Sequence, residues 1–116
     1  MRINYLNDWA IQIDDLDIRN ATEEQAIEIG KLAISNMVVV FKKQSLTPED
    51  EVAFCSKIGK CQYIIDPTKP KEGQRTEHLA VGNHILRVTG KKNDKGEEGL
   101  FGHTSALDWH ANQASN

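Results

Sequence analysis

Little in this chain could cross-link it, anchor it in a bilayer or draw it to a polyanion. Of its 116 residues only two are cysteine, Cys55 and Cys61. That is too few for a disulfide framework, and the spacing is not that of a C-x-x-C motif. A zinc site takes about four ligands at short spacing, and neither cysteine has a histidine nearby in sequence. Both read as structural, with Cys55 expected as a buried thiol because it lies in a helical apolar pattern. Long hydrophobic runs are missing too. The longest, Met37 to Phe41, is far short of the roughly 20 residues a membrane helix needs. The opening segment MRINYLNDWAIQID has no apolar stretch resembling a signal peptide, so the expected location is cytoplasmic, with no membrane partner. Positive charge is not in excess: 14 Lys and Arg stand against 17 Asp and Glu, for a net charge of −3. Without a basic stripe, nucleic acid is not an expected partner. No glycine-rich phosphate loop, G-x-S-x-G elbow or H-E-x-x-H helix occurs, and no internal repeat or low-complexity tract is visible.

What is present is the composition of a globular protein, 39% hydrophobic and 27% charged, at the length of one domain. Residues 2 to 13 read as extended, with Ile3, Tyr5, Ile11 and Ile13 at alternating positions. Asp14 and Asp15 form a turn. Thr22 and Gln25 have capping-box spacing, which predicts a helix from Glu23 to Ser35 with an apolar stripe of Ala26, Ile27, Ile29, Ala33 and Ile34. Glu23 and Glu24 complement the positive end of its dipole. Met37 to Phe41, β-branched and without polar alternation, predicts a strand buried on both faces. Thr47, Pro48, Glu49 and Asp50 open a second helix, which carries Val52, Ala53, Phe54, Cys55 and Ile58 and is expected to end on a left-handed Gly59.

From Lys60 to Gly82 regular patterning stops. This stretch holds Pro67, Pro70 and Gly73 among many charges, and loops of such length are usually lids, binding loops or disordered segments. His84 to Thr89 predicts a strand, Gly90 to Gly99 a polar turn. Two helices with strands before, between and after them suggest an α+β arrangement with helices packed outside a mainly β core.

The four histidines are His78, His84, His103 and His110. The first three have no ligand partner at helical or H-x-H spacing, and each reads as a surface or hydrogen-bonded residue. His110 differs in its company. The stretch IDDLDIRNATEEQAIEIGKLAISNMVVVFKKQSLTPEDEVAFCSKIGK resembles the N-terminal half of the taurine dioxygenase-like (TauD/TfdA) Fe(II)/2-oxoglutarate oxygenases. The matching pieces are Val38 to Phe41, Gln44, Leu46 to Glu49, and Ile58 with Gly59. HILRVTG is similar to the family's next strand, and LDWHAN to its "WHtD" metal motif.

The resemblance implies the N-terminal part of a double-stranded β-helix, or jelly roll, with two flanking helices and the barrel incomplete within these 116 residues. It implies Fe(II) as cofactor, 2-oxoglutarate as co-substrate and a small organic molecule as the substrate to be hydroxylated. Two imidazoles and a carboxylate on one face of an octahedron leave the other face open. Residues i and i+2 of a strand point to the same side, so an H-x-D pair can reach one ion. His110 matches the first ligand and Asn112 the second, where the family has aspartate. A carboxamide oxygen can coordinate but brings no charge, and Asp108 lies on the other side of His110 along the strand. The family's distal histidine and the arginine that holds 2-oxoglutarate come further downstream than this sequence reaches. The expectation is therefore an N-terminal portion, inactive as these 116 residues, with 60–82 as its lid and open strand edges that favour a homo-oligomer. The rival expectation is a degenerate oxygenase-like fold serving as a non-catalytic binding or assembly module. A third is an unrelated α+β domain.

Overall fold

The computed structural model describes residues 1–74, 80–97 and 109. The chain divides into two compact units, Met1–Cys61 and Gln62–Asn116.

In the first unit the alternating segment at the start is a hairpin rather than one strand. β1 (Arg2–Asn7) pairs antiparallel with β2 (Ala10–Asp14), with Ile3 opposite Ile13 and Tyr5 opposite Ile11. The turn between them has no glycine to announce it. Instead Asn7 Oδ1 accepts from the Trp9 backbone N–H at 2.9 Å, the side chain standing in for a backbone turn bond. A bulge between Tyr5 and Asn7 absorbs the irregularity.

A short 3₁₀ turn, Ile18–Asn20, leads into α1 (Glu23–Asn36). Its start is the capping box expected: Thr22 Oγ1 accepts from the Gln25 N–H at 3.1 Å and Gln25 Oε1 accepts from the Thr22 N–H at 3.0 Å. The helix ends on Met37, which takes a left-handed φ of 60°. Its buried stripe is narrower than the apolar pattern suggested. Ala26 and Ile29 are buried, whereas Ile27 and Ile34 are exposed, because only one narrow face of the helix meets the sheet and the second helix.

β3 (Val38–Phe41) lies parallel to β2, Ile11 opposite Val39 and Ile13 opposite Phe41. The sheet order is β1-β2-β3. This corrects the expectation of a strand buried on both faces: Val38 is exposed and the other three residues are half-buried. Among the described residues β3 is at the sheet's edge, and the strand buried in the centre is β2, where Ile11 and Ile13 are 0% and 1% exposed.

α2 (Pro48–Ile58) opens on a second capping box, Thr47 with Asp50, and Pro48 sits where its missing N–H costs nothing. Its end differs from expectation. Gly59 is extended at φ −173°, and its N–H still bonds to Cys55 O at 3.0 Å. Of the helix's apolar residues only Phe54 is buried; its ring meets Phe41 edge-on at 6.0 Å. Cys55 is exposed, which corrects its reading as a buried thiol: it sits one residue past Phe54, turned off the face that packs on the sheet. The two helices approach each other closely at Gly30, where a Cβ would lie 2.8 Å from Ile58 Cγ2. Ile13, Ile18, Ala21, Ala26, Ile29 and Phe54 form the core, with Ile3, Leu16, Leu32, Val39 and Phe41 packed against it.

In the second unit, β4 (Ala80–Val81) and β5 (Ile85–Leu86) form a short hairpin. β5 is two residues long where the pattern His84 to Thr89 suggested six. The polar turn after it is built on Asn93, whose Oδ1 accepts from the N–H groups of Lys95 and Glu97 while Gly96 takes a φ of 76°. No helix among the described residues is long and apolar enough to cross a membrane.

Candidate functional site

The residues expected to bind metal, His110 and Asn112, lie outside the described residues, as do His78, His103 and Asp108. Among the described residues no group of three or more His, Cys, Asp and Glu is placed to hold a metal ion. His84 is described, and it is a hydrogen-bonded residue, as expected. Its Nδ1 donates to the Gln62 carbonyl at 2.8 Å, and its ring stacks on Tyr63 with centroids 4.9 Å apart.

Among the described residues, a concavity is seen in each unit. In the first, an open groove of about 660 Å³ lies where the parallel strands β2 and β3 end. The mouth between the carboxyl ends of parallel strands is a usual place for a ligand, since the chain there leaves the sheet and turns. Here it turns at Asp15 and Lys43, two non-glycine residues with left-handed φ values of 58° and 57°. Asp14 accepts from Gln12 Nε2 at 2.8 Å and from Asn4 Nδ2, with an Arg2 guanidinium nitrogen 3.7 Å away. Asp17 is held by Arg19 through its backbone N–H at 3.0 Å and its guanidinium Nε at 2.9 Å. Those side-chain bonds, with the backbone bond second, hold the Asp17 carboxyl below its ordinary range, and they raise Arg19 in turn. Gln12 Oε1 is a buried acceptor with no partner. The groove thus contains paired charges and one orphan acceptor, and no nucleophile beside a base. It is a polar seam that holds strand ends in place.

The residue that closes the seam is Gln44, half-buried. Its Oε1 accepts from the Ile18 N–H at 3.0 Å, while its Nε2 donates to the Leu16 carbonyl at 2.9 Å and the Lys42 carbonyl at 3.1 Å. One side chain therefore ties the segment after β2 to the segment after β3. Gln44→Leu keeps the bulk and removes all three bonds, leaving the Ile18 donor and Leu16 acceptor without partners. The expected cost is about 2 kcal/mol in urea denaturation. Gln44→Glu keeps the acceptor but sets a carboxylate against two carbonyls. Its new carboxyl is held above its unfolded value, so the variant is expected to be least stable at neutral pH and to recover as pH falls through the carboxyl range.

In the second unit the stretch read as a lid is tied by its own bonds where it is described. Gln74 accepts from the Asp66 N–H at 2.6 Å and donates to the carbonyls of Asp66, Lys69 and Pro70 at 3.1, 3.3 and 2.7 Å. Asp66 Oδ1 accepts from the Thr68 hydroxyl at 2.6 Å and the Thr68 N–H at 2.9 Å, which lowers the Asp66 carboxyl. The Asn83 carbonyl accepts from both Ile64 and Ile65. A cleft of about 520 Å³ lies between Ile65–Pro67 on one side and Ala80, Gly82 and Asn83 on the other.

Comparison with known proteins yields little. No family model and no curated protein matches the chain. Among solved structures, it is similar to the crystal structure of AAD-2 in complex with Mn(II) and N-oxalylglycine, at 28% identity and a TM-score of 0.49. The likeness covers 53% of this chain and 25% of that one, so this chain spans about a quarter of that protein's length. Gln44 stands out in the sequence as a motif position, but the groove and the clamp do not, because the bonded groups are 26 and 28 residues away along the chain.

Proposed function

We propose that this chain supplies the lead-in layer and the first metal-ligand segment of a taurine dioxygenase-like Fe(II)/2-oxoglutarate oxygenase, a jelly-roll enzyme that hydroxylates a small organic substrate. The observation that carries this is the order of motifs: the VVVF strand, Gln44, the Thr47-Pro48 helix opening, the helix end at Gly59, then LDWHAN. The local structure gives several of these positions a physical reason. Val39 and Phe41 pack on the core, Gln44 clamps two strand ends, and Thr47 with Pro48 caps α2. In this proposal 60–82 covers the active centre as a lid.

The donor set within these residues does not match the group the family would hold. His110 offers one imidazole and Asn112 one neutral oxygen, where a facial triad takes two imidazoles and a carboxylate. That same asparagine favours a second reading, a degenerate oxygenase-like fold acting as a binding or assembly module.

Anaerobic titration with Fe(II) and 2-oxoglutarate separates the two. The 116-residue chain is expected to give no chelate absorption band. A version extended through its downstream reading frame is expected to give one. If that frame encodes no further histidine and arginine, or the extended protein stays silent, the oxygenase proposal fails and the module stands.

A further inference from the structure

The end of α2 carries a feature that the proposed function does not use and that stands apart from it. Cys61 folds back onto the helix: its Sγ lies 3.4 Å from Ser56 Oγ and 4.0 Å from the Val52 carbonyl. Residues 52, 55 and 56 are neighbours on a helix surface, being three and four apart. The Cys61 thiol is therefore seated over the patch that Cys55 borders. The return is made by Gly59, which is extended, and Lys60, with nothing within 4 Å of where a Gly59 Cβ would stand. Neither cysteine is in a disulfide; Cys55 is exposed and Cys61 half-buried.

We propose that Cys55 and Cys61 form an oxidisable pair that closes into an intramolecular disulfide, fixing the last residue of the first unit to the end of α2. The oxidant is a small disulfide such as oxidised glutathione. The exposed Cys55, as thiolate, attacks one glutathione sulfur. A mixed disulfide forms and one glutathione thiolate leaves. The Cys61 thiolate then attacks the Cys55 sulfur of that mixed disulfide and expels the second glutathione. The two protons lost by the cysteines end on the two glutathione thiols, so two protein thiols and one glutathione disulfide become one protein disulfide and two glutathiones. Partial burial, then the charges of Cys61 and Glu51, hold the Cys55 thiol above its ordinary value. The first step is accordingly expected to accelerate as pH rises through the thiol range.

The chemistry of the surrounding sequence supplies a clean assay. Lys57 and Lys60 stand between the two cysteines. Tryptic cleavage after both leaves the Cys55 and Cys61 peptides joined only if the disulfide has formed, and reduction parts them. The full chain is equilibrated in glutathione buffers of graded ratio, natively and in urea, and the fraction of joined peptide is read by mass spectrometry. Joined peptide from monomeric protein is expected, with an equilibrium constant at least about tenfold larger under native conditions than in urea. Cys61→Ser is expected to halt at a stable glutathione adduct on Cys55. Equal constants with and without urea would mean that proximity in sequence alone explains the bond, and would overturn the proposal. So would a covalent dimer, or a wild-type adduct that never closes.

Discussion

Ile13→Ala is expected to destabilise the first unit by about 3 kcal/mol, a large part of the roughly 5–15 kcal/mol that holds a small protein folded. Ile13 is 1% exposed at the centre of the sheet. It faces Ile3 across the antiparallel pair and Phe41 across the parallel one, and it belongs to the core with Ile18, Ala26, Ile29 and Phe54. Strands on both sides and helices above prevent collapse into the space three lost carbons would leave, so the cavity penalty adds to the lost burial. Two controls set the scale. Ile13→Val is expected to cost about 1 kcal/mol, and Ile34→Ala close to nothing, since Ile34 is 85% exposed. The measurement is a urea midpoint at unchanged slope. A loss under about 1 kcal/mol for Ile13→Ala would mean that β2 is not the centre of the core.

That contrast between Ile13 and Ile34 also shows what could be read from the amino-acid order. Features fixed by neighbours in sequence were legible. The capping boxes at Thr22 and Thr47 and the proline at the first helical position all require residues within three of one another, and they appear where they were expected. Features fixed by distant partners were not. The apolar pattern of α1 takes in both Ile29 and Ile34, yet these lie about 140° apart around the helix and only Ile29 joins the core, because the sheet and α2 decide which face is covered. The valine run of β3 reads as doubly buried, yet its position at the edge leaves Val38 exposed. The hairpin was hidden because its turn is closed by an asparagine side chain rather than by glycine. Gln44 was visible as a motif letter but not as a clamp, since nothing local shows which carbonyl and amide it will reach.

Asn112→Asp tests whether His110 and residue 112 share a metal ion. The amide at this position can offer an oxygen but no charge, and hard divalent cations are held by oxygen donors partly through charge. Restoring the carboxylate two residues after His110 re-creates the H-x-D spacing, which on a strand would set both side chains to the same side. The substitution is expected to tighten Mn(II) or Fe(II) binding by roughly ten- to a hundredfold, since each tenfold corresponds to about 1.4 kcal/mol. Loss of the free-ion signal in Mn(II) electron paramagnetic resonance reads it directly. Adding His110→Ala to the variant is expected to return binding to the wild-type level. If the substitution leaves binding unchanged, or the gain survives removal of His110, residues 110 and 112 do not share an ion. The WHAN segment would then be a likeness of letters only, and the binding-module reading would take the place of the oxygenase.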